Sequence, residues 1–127
     1  DPAATEAIIS HLESHIKSTH DLSQISSIVC LEARGFFFTP ILASCLGLPC
    51  LPVRKRGKLP GEVISTTFEN YYGSECFELK TDAFEGMEVE GKKVILVDDF
   101  LGMGGSIMAA KDLVEKLGVE VGEAVFI

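Results

Sequence analysis

Residues 94 to 106 read Val94-Ile95-Leu96-Val97-Asp98-Asp99-Phe100-Leu101-Gly102-Met103-Gly104-Gly105-Ser106, an apolar run that ends in two adjacent carboxylates and then a glycine-rich turn. A turn of this kind, set between a buried strand and the start of a helix, aims several backbone N–H groups at one point. The helix dipole adds partial positive charge there. Gly102, Gly104 and Gly105 permit positive φ and close approach of a phosphate, and Ser106 adds a hydroxyl donor. Gly102, Met103, Gly104, Gly105 and Ser106 therefore form a candidate phosphate cradle. No Lys precedes the Ser, as it would in a Walker A loop, and the spacing after Gly104 departs from the dinucleotide fingerprint. Asp98 and Asp99 would repel a phosphate unless something holds the charges apart. A ribose does so, because its 2′- and 3′-hydroxyls donate to the carboxylates while its 5′-phosphate occupies the turn. Taken alone, two Asp at a strand end also fit a receiver-type phosphoacceptor pocket or a plain strand terminus. The glycine turn and the helix behind it make the sugar-phosphate reading the specific one.

The cations are gathered rather than spread. Arg34, Arg54 and Arg56 are the only arginines, and Lys55 and Lys58 flank the last two. In a chain of net charge −8, arginines confined to two short loops suggest a local anion site. An isolated Arg-Lys-Arg-Gly-Lys run is equally well read as a solvated loop. The same net charge argues against a general nucleic-acid binder, which needs a broad basic footprint. The 4 cysteines, at 30, 45, 50 and 76, contain no C-x-x-C pair. They fit reduced thiols in a cytosolic protein better than a zinc site or a disulfide framework, and Cys30 reads as core. His11 and His15 lie four apart, a spacing open to a metal, but Glu13 is misplaced for H-E-x-x-H, so both are expected at solvated or edge positions. Phe36, Phe37 and Phe38 read as core and interface.

These groups must be positioned by elements, and the periodicity supplies them. Residues 2 to 18 predict an amphipathic helix with Ile8, Ile9, Leu12 and Ile16 on one face. Strands are expected at 27–31 and 50–53, around a helix from Thr39-Pro40 that Gly47 ends. Residues 63–68 and 76–79 read as two strands joined through 70–74, inside a mobile, hairpin-like loop covering about 57–80. The run 94–97 is a buried strand. A helix follows with Ile107, Ala110, Leu113, Val114 and Leu117 on one face, and 121–127 is a last strand. Strands alternating with helices predict the α/β class, with a largely parallel sheet flanked by helices. With 127 residues, 46% of them hydrophobic, a single ordered domain over 1–127 is expected. No stretch approaches the ~20 apolar residues of a membrane helix and no signal peptide opens the chain, so a cytoplasmic protein without a membrane partner is expected.

Residues 95–106 are similar to the phosphoribosyl pyrophosphate signature of type I phosphoribosyltransferases. Leu31-Glu32-Ala33-Arg34-Gly35-Phe36 and Val53-Arg54-Lys55-Arg56-Gly57-Lys58-Leu59-Pro60-Gly61 resemble two further loops of the adenine phosphoribosyltransferase family. The likeness runs from about residue 28 to 126 and covers a core cut short at both ends. It implies a type I phosphoribosyltransferase-like fold and transfer of a phosphoribosyl group from phosphoribosyl pyrophosphate to adenine, giving AMP and pyrophosphate. By the same resemblance Gly102 to Ser106 would hold the 5′-phosphate, and Asp98 and Asp99 the ribose hydroxyls. Arg34, Arg54, Lys55 and Lys58 would hold pyrophosphate, and Tyr72 would cover the sugar. Asp98, Asp99, Arg34 and Tyr72 would be the catalytic set. Mg²⁺ would be bound mainly through the substrate, with no direct protein ligand, and a homodimer is implied. Two positions depart from the family pattern: Gly102-Met103 stands where Ala-Thr is usual, and Tyr71 where a Glu usually precedes the loop tyrosine. They leave open a second reading, a catalytically weak or inactive paralogue that binds phosphoribosyl pyrophosphate or AMP as a sensor.

Overall fold

The structure is a computed structural model and describes residues 2–31, 38–70, 73–98 and 105–126. In chain order the elements are α1 (Pro2–Thr19), a 3-10 turn (Leu22–Gln24), β1 (Ile25–Leu31), α2 (Thr39–Leu46), β2 (Cys50–Lys55), β3 (Val63–Asn70), β4 (Gly73–Lys80), β5 (Lys93–Asp98), α3 (Gly105–Lys116) and β6 (Glu120–Phe126). The six strands form a sheet in the order β3-β4-β2-β1-β5-β6. β2, β1, β5 and β6 are parallel, and the antiparallel pair β3–β4 joins at the β2 edge through β4. The expected largely parallel α/β sheet is what forms.

β1 is buried at all seven positions and β5 at every position after Lys93. Runs that are apolar on both sides belong in the middle of a sheet covered on both faces. Because side chains alternate, each run is divided between two interiors. Val29 and Leu31 of β1, with Val94 and Leu96 of β5, pack against Ala109, Ala110, Leu113 and Val114 of α3. Ile28, Ile95 and Val97 pack on the other side against Ile9, Leu12 and Ile16 of α1 and Leu42, Ala43 and Leu46 of α2. Leu113 and Val114 are fully buried, which is worth roughly 1.5–3 kcal/mol for each side chain. Ile25 and Ile28 share one interior although three positions apart, because the ladder to β5 is interrupted between Ile25 and Ser27.

Local signals explain the ends. Pro40 lies in the first turn of α2, and Gly47 closes that helix at φ 70°, its N–H donating to the carbonyls of Ala43 and Ser44. The α1 face is narrower than expected: Ile9, Leu12 and Ile16 are buried, whereas Ile8 is 39% exposed. Ile107 of α3 and Leu117, one residue past its end, lie half-buried at the margins of the stripe.

The longest differences from the sequence expectation are in β2, β3 and β4. β2 continues through Arg54 and Lys55, which pair with Glu78 and Phe77 of β4, so these two cations stand on a strand and not in a loop. β3 and β4 pair without interruption from Val63↔Lys80 to Asn70↔Gly73. Phe68 and Phe77, diagonal neighbours across that ladder, have ring centroids 4.8 Å apart with the planes inclined at 58°. Phe77 and Leu79 are buried in the α3 interior, which roots the hairpin in the core. Among the described residues no helix is long and apolar enough to cross a membrane.

Candidate functional site

Topology decides which edge of the sheet can bind. The four parallel strands all finish on the same edge, at Leu31, Lys55, Asp98 and Phe126. From β1 the chain passes through α2 to β2 on one side; from β5 it passes through α3 to β6 on the other. α2 and α3 lie on opposite faces of the sheet. The order of winding therefore reverses between β1 and β5. In open α/β sheets the crevice at such a reversal, outside the carboxyl ends of the strands, is where ligands bind. The connections 32–37 and 99–104 leave β1 and β5 at this point, and they are the two stretches in which sequence placed Arg34 and the phosphate cradle.

Asp98 is the last residue of β5 and is 5% exposed. Ser106, in the first turn of α3, donates its hydroxyl to Asp98 Oδ2 at 3.2 Å. A carboxylate so deeply buried needs donors, and the hydroxyl together with the positive end of α3 supplies them. The hydroxyl proton that was expected to point at a phosphate is thus directed at the carboxylate. Val97 pairs with Cys30 and Leu31 with Val53, so Asp98 stands level with Leu31 and Val53. With β1 between them, the β5 and β2 backbones are about 10 Å apart at this level.

The basic stretch begins one residue beyond Val53. Arg54 and Lys55 complete β2, and the chain then turns back. Arg56 N–H donates to the Cys76 carbonyl at 3.1 Å and Lys58 N–H to the Lys55 carbonyl at 3.2 Å. Gly57 takes φ 83°, a left-handed conformation that suits glycine, and its N–H donates to Glu78 Oε1 at 2.8 Å. Glu78 was missed in the sequence. Its signal was the alternation in β4, where Phe77 and Leu79 point inward and leave Glu78 facing out, but that places it beside Gly57 only once β4 is known to pair with β2.

Of the sequence-derived site residues, Asp98 and Ser106 are in contact, and Arg54, Lys55 and Lys58 share one strand end and its turn. Gly105 opens α3. Arg34, Tyr72, Asp99, Gly102, Met103 and Gly104 lie outside the described residues, as do Tyr71, Phe36 and Phe37. Phe38 packs at the margin of the α2 interior. Among the described residues no three of His, Cys, Asp or Glu are grouped so as to hold a metal ion. His11 is exposed and His15 half-exposed at the edge, as expected; in addition His15 Nε2 and His20 Nε2 bind the two oxygens of Glu123 at 2.9 and 2.7 Å. Partial burial alone would raise the Glu123 carboxyl, but hydrogen bonds from His20 and then His15 outweigh it and hold the group below its ordinary value.

A parallel sheet whose winding reverses between β1 and β5, with an acidic strand end followed in sequence by glycines and then a helix, is what a phosphoribosyltransferase presents, and residues 2–127 match the family model described as Phosphoribosyl transferase domain. The more particular relatives share one name. The adenine phosphoribosyltransferase of Yarrowia lipolytica is 44% identical over 127 residues, which is 100% of this chain and 68% of the relative. That of Cricetulus griseus is 46% identical over 125 residues, 98% of this chain and 67% of the relative. The crystal structure of the Saccharomyces cerevisiae enzyme, complexed with D-2,5-dideoxy-2,5-imino-altritol 1,6-bisphosphate and adenine, superposes with a TM-score of 0.87 at 40% identity, covering 100% of this chain and 70% of that one. The Trypanosoma brucei enzyme, in complex with AMP, pyrophosphate and ribose-5-phosphate, gives 0.82 at 27% identity, covering 100% and 52%. The chain belongs to the adenine phosphoribosyltransferase family and spans about two thirds of the length of the Yarrowia lipolytica and Cricetulus griseus relatives.

Proposed function

We propose that the chain works in purine salvage, transferring the 5-phosphoribosyl group of phosphoribosyl pyrophosphate to adenine to give AMP and pyrophosphate. One arrangement carries the reading: β1 and β5 end side by side where the winding reverses, with Asp98 buried at the end of β5 beneath the start of α3. The ligands named for the yeast and trypanosome structures, adenine with a sugar-bisphosphate mimic and AMP with pyrophosphate, are the reactants and products of this reaction. A sensor without turnover is not favoured, since the relatives carry the name of the transferase.

The roles follow from charge. Pyrophosphate leaves the anomeric carbon as a nitrogen of adenine attacks, and positive charge builds on the sugar while negative charge builds on the leaving group. Arg34, Arg54, Lys55 and Lys58 bind the pyrophosphate, and the backbone from Gly102 to Ser106 binds the 5′-phosphate. Asp98 and Asp99 accept from the ribose hydroxyls and place negative charge near the developing cation. Tyr72 covers the sugar as the outer part of the 57–80 excursion, beyond the residues rooted in the core, closes to exclude water, which would otherwise hydrolyse the activated sugar. When phosphate enters the turn, Ser106 is free to rotate its hydroxyl from Asp98 to the phosphate as ribose hydroxyls take its place. Mg²⁺ would arrive on the pyrophosphate oxygens, where it neutralises leaving-group charge. The described residues fit that mode, because Arg54, Lys55 and Lys58 offer cations for the phosphates at the end of β2 and its turn. The same reading includes a cytoplasmic homodimer; Ile41 of α2, which follows the 32–37 connection, is 48% exposed and available to a second copy.

Labelled adenine incubated with phosphoribosyl pyrophosphate, Mg²⁺ and the full-length protein should yield AMP, with hypoxanthine, guanine and xanthine inert in parallel. AMP binding without product would overturn the assignment as a transferase. Asp99→Asn should weaken binding of the activated sugar about tenfold or more, the worth of a charged hydrogen bond, and leave the thermal midpoint in place. Unchanged affinity by calorimetry would remove the ribose role.

A further inference from the structure

On the face of the sheet that carries α2, two thiols meet on neighbouring strands. Cys30 of β1 and Cys50 of β2 approach to 3.6 Å between sulfurs. Cys30 is 3% exposed, whereas Cys50 is only half-buried. A hollow of about 310 Å³ opens over the pair, lined by Cys30, Pro40, Cys50 and Pro52. Prolines have no N–H, so the wall offers sulfur and hydrocarbon and little for a polar ligand to hold.

We infer that this hollow is a dithiol site that takes a soft, thiophilic centre bearing an apolar substituent, of the trivalent organoarsenical class, bridged between Cys30 and Cys50.

Two distances distinguish this from a redox disulfide. Cys50 pairs with Ile28 and Cys30 with Pro52, so the two cysteines are two positions out of step. Strand spacing and rise then put their Cα atoms about 8 Å apart, beyond the ~7 Å limit for a disulfide without backbone movement. A bridging atom with bonds to sulfur of about 2.3 Å at a tetrahedral or pyramidal angle spans sulfurs roughly 3.5–3.8 Å apart. The observed gap already matches that bite. The thiol hydrogen bond also divides the labour. The contact between the two thiols holds Cys50 below its ordinary value, while the same contact and then burial push Cys30 up. Cys50 attacks first, and Cys30 follows within the same contact. With phenylarsine oxide two S–H bonds and the arsenic–oxygen bonds break, two arsenic–sulfur bonds form, and the oxygen leaves with both protons as water. Nothing is oxidised or reduced, and the product is neutral, as an apolar wall requires.

The test is native mass spectrometry of the protein with phenylarsine oxide, followed by peptide mapping. One adduct should form, linking the peptides that contain residues 30 and 50 and removing two titratable thiols. Excess ethanedithiol should reverse it and excess mercaptoethanol should not. Cys30→Ala and Cys50→Ser should each weaken binding at least about 100-fold, the gain expected from holding a second ligand in place, while Cys45→Ser and Cys76→Ser leave it unchanged. An adduct mapped to Cys45 or Cys76 would overturn the site. So would conversion of Cys30 and Cys50 to a disulfide by diamide at native temperature with the thermal midpoint preserved. The wild-type peptide map keeps the result decisive even where a core variant at Cys30 fails to fold.

Discussion

Glu78 is a carboxylate that sits among cations without being one of the groups that bind a substrate. It stands across from Arg54 in the ladder, and its Oε1 accepts from the N–H of Gly57 at 2.8 Å. It thereby fixes the turn that carries Lys58 while adding negative charge beside a proposed pyrophosphate site. The two effects have opposite signs and can be separated. Glu78→Ala removes the acceptor, and KM for phosphoribosyl pyrophosphate should rise about 2–10-fold, the worth of one hydrogen bond, with kcat less affected. Glu78→Gln keeps an acceptor oxygen and removes the charge, so KM should stay within about twofold of the parent or fall. Steady-state kinetics of the two variants decides it: an equal rise in both would mean that the charge, not the turn, is what matters. Ser106 poses a related question, since its hydroxyl faces Asp98 at 3.2 Å in the structure described.

Strands and helices carried most of what could be read ahead of the structure. The apolar runs at 27–31, 50–53 and 94–97 announced the central strands because a doubly covered sheet demands them, and Gly47 announced the end of α2. Arg54 and Lys55 were not legible as strand, because backbone pairing with Glu78 and Phe77 holds them there and no apolar pattern marks it. The start of β1 at Ile25 was hidden by the irregularity between Ile25 and Ser27, which breaks the period-two pattern. Within the candidate site the contact of Asp98 with Ser106 joins two residues of one local motif that the sequence had singled out, whereas contacts between distant partners were illegible: Glu78 to Gly57, Cys30 to Cys50, His20 to Glu123. The hairpin β3–β4 shows what a strand pair needs beyond its own ladder. Phe77, 3% exposed, meets Phe68 and the α3 interior together. Phe77→Ala should therefore cost about 3–5 kcal/mol in urea unfolding, whereas a loss under 1 kcal/mol would mean that the hairpin is not anchored through this ring.

Across the whole molecule, the end of α1 is fastened to the last strand by His15, His20 and Glu123. Because the Glu123 carboxyl is held below its ordinary value of 4.5, its charge favours the folded state above that pH, and the contribution disappears as pH falls through the lowered value. Glu123→Gln should cost about 1 kcal/mol at pH 7 and flatten the loss of stability between roughly pH 5 and 3. Denaturant titrations across that range would show parallel curves for parent and variant if the pair contributes nothing. The division of β5 between two interiors has a consequence of its own. Val94 and Leu96 point one way, Ile95 and Val97 the other, and both destinations are hydrocarbon. Sliding the strand by a single residue would exchange the two sets with no penalty in polarity, so greasiness cannot set its phase. The termini do: Lys93 is exposed at one end, and Asp98 meets the Ser106 hydroxyl at the other. The carboxylate proposed to grip the sugar is also the stop that keeps its own strand in step.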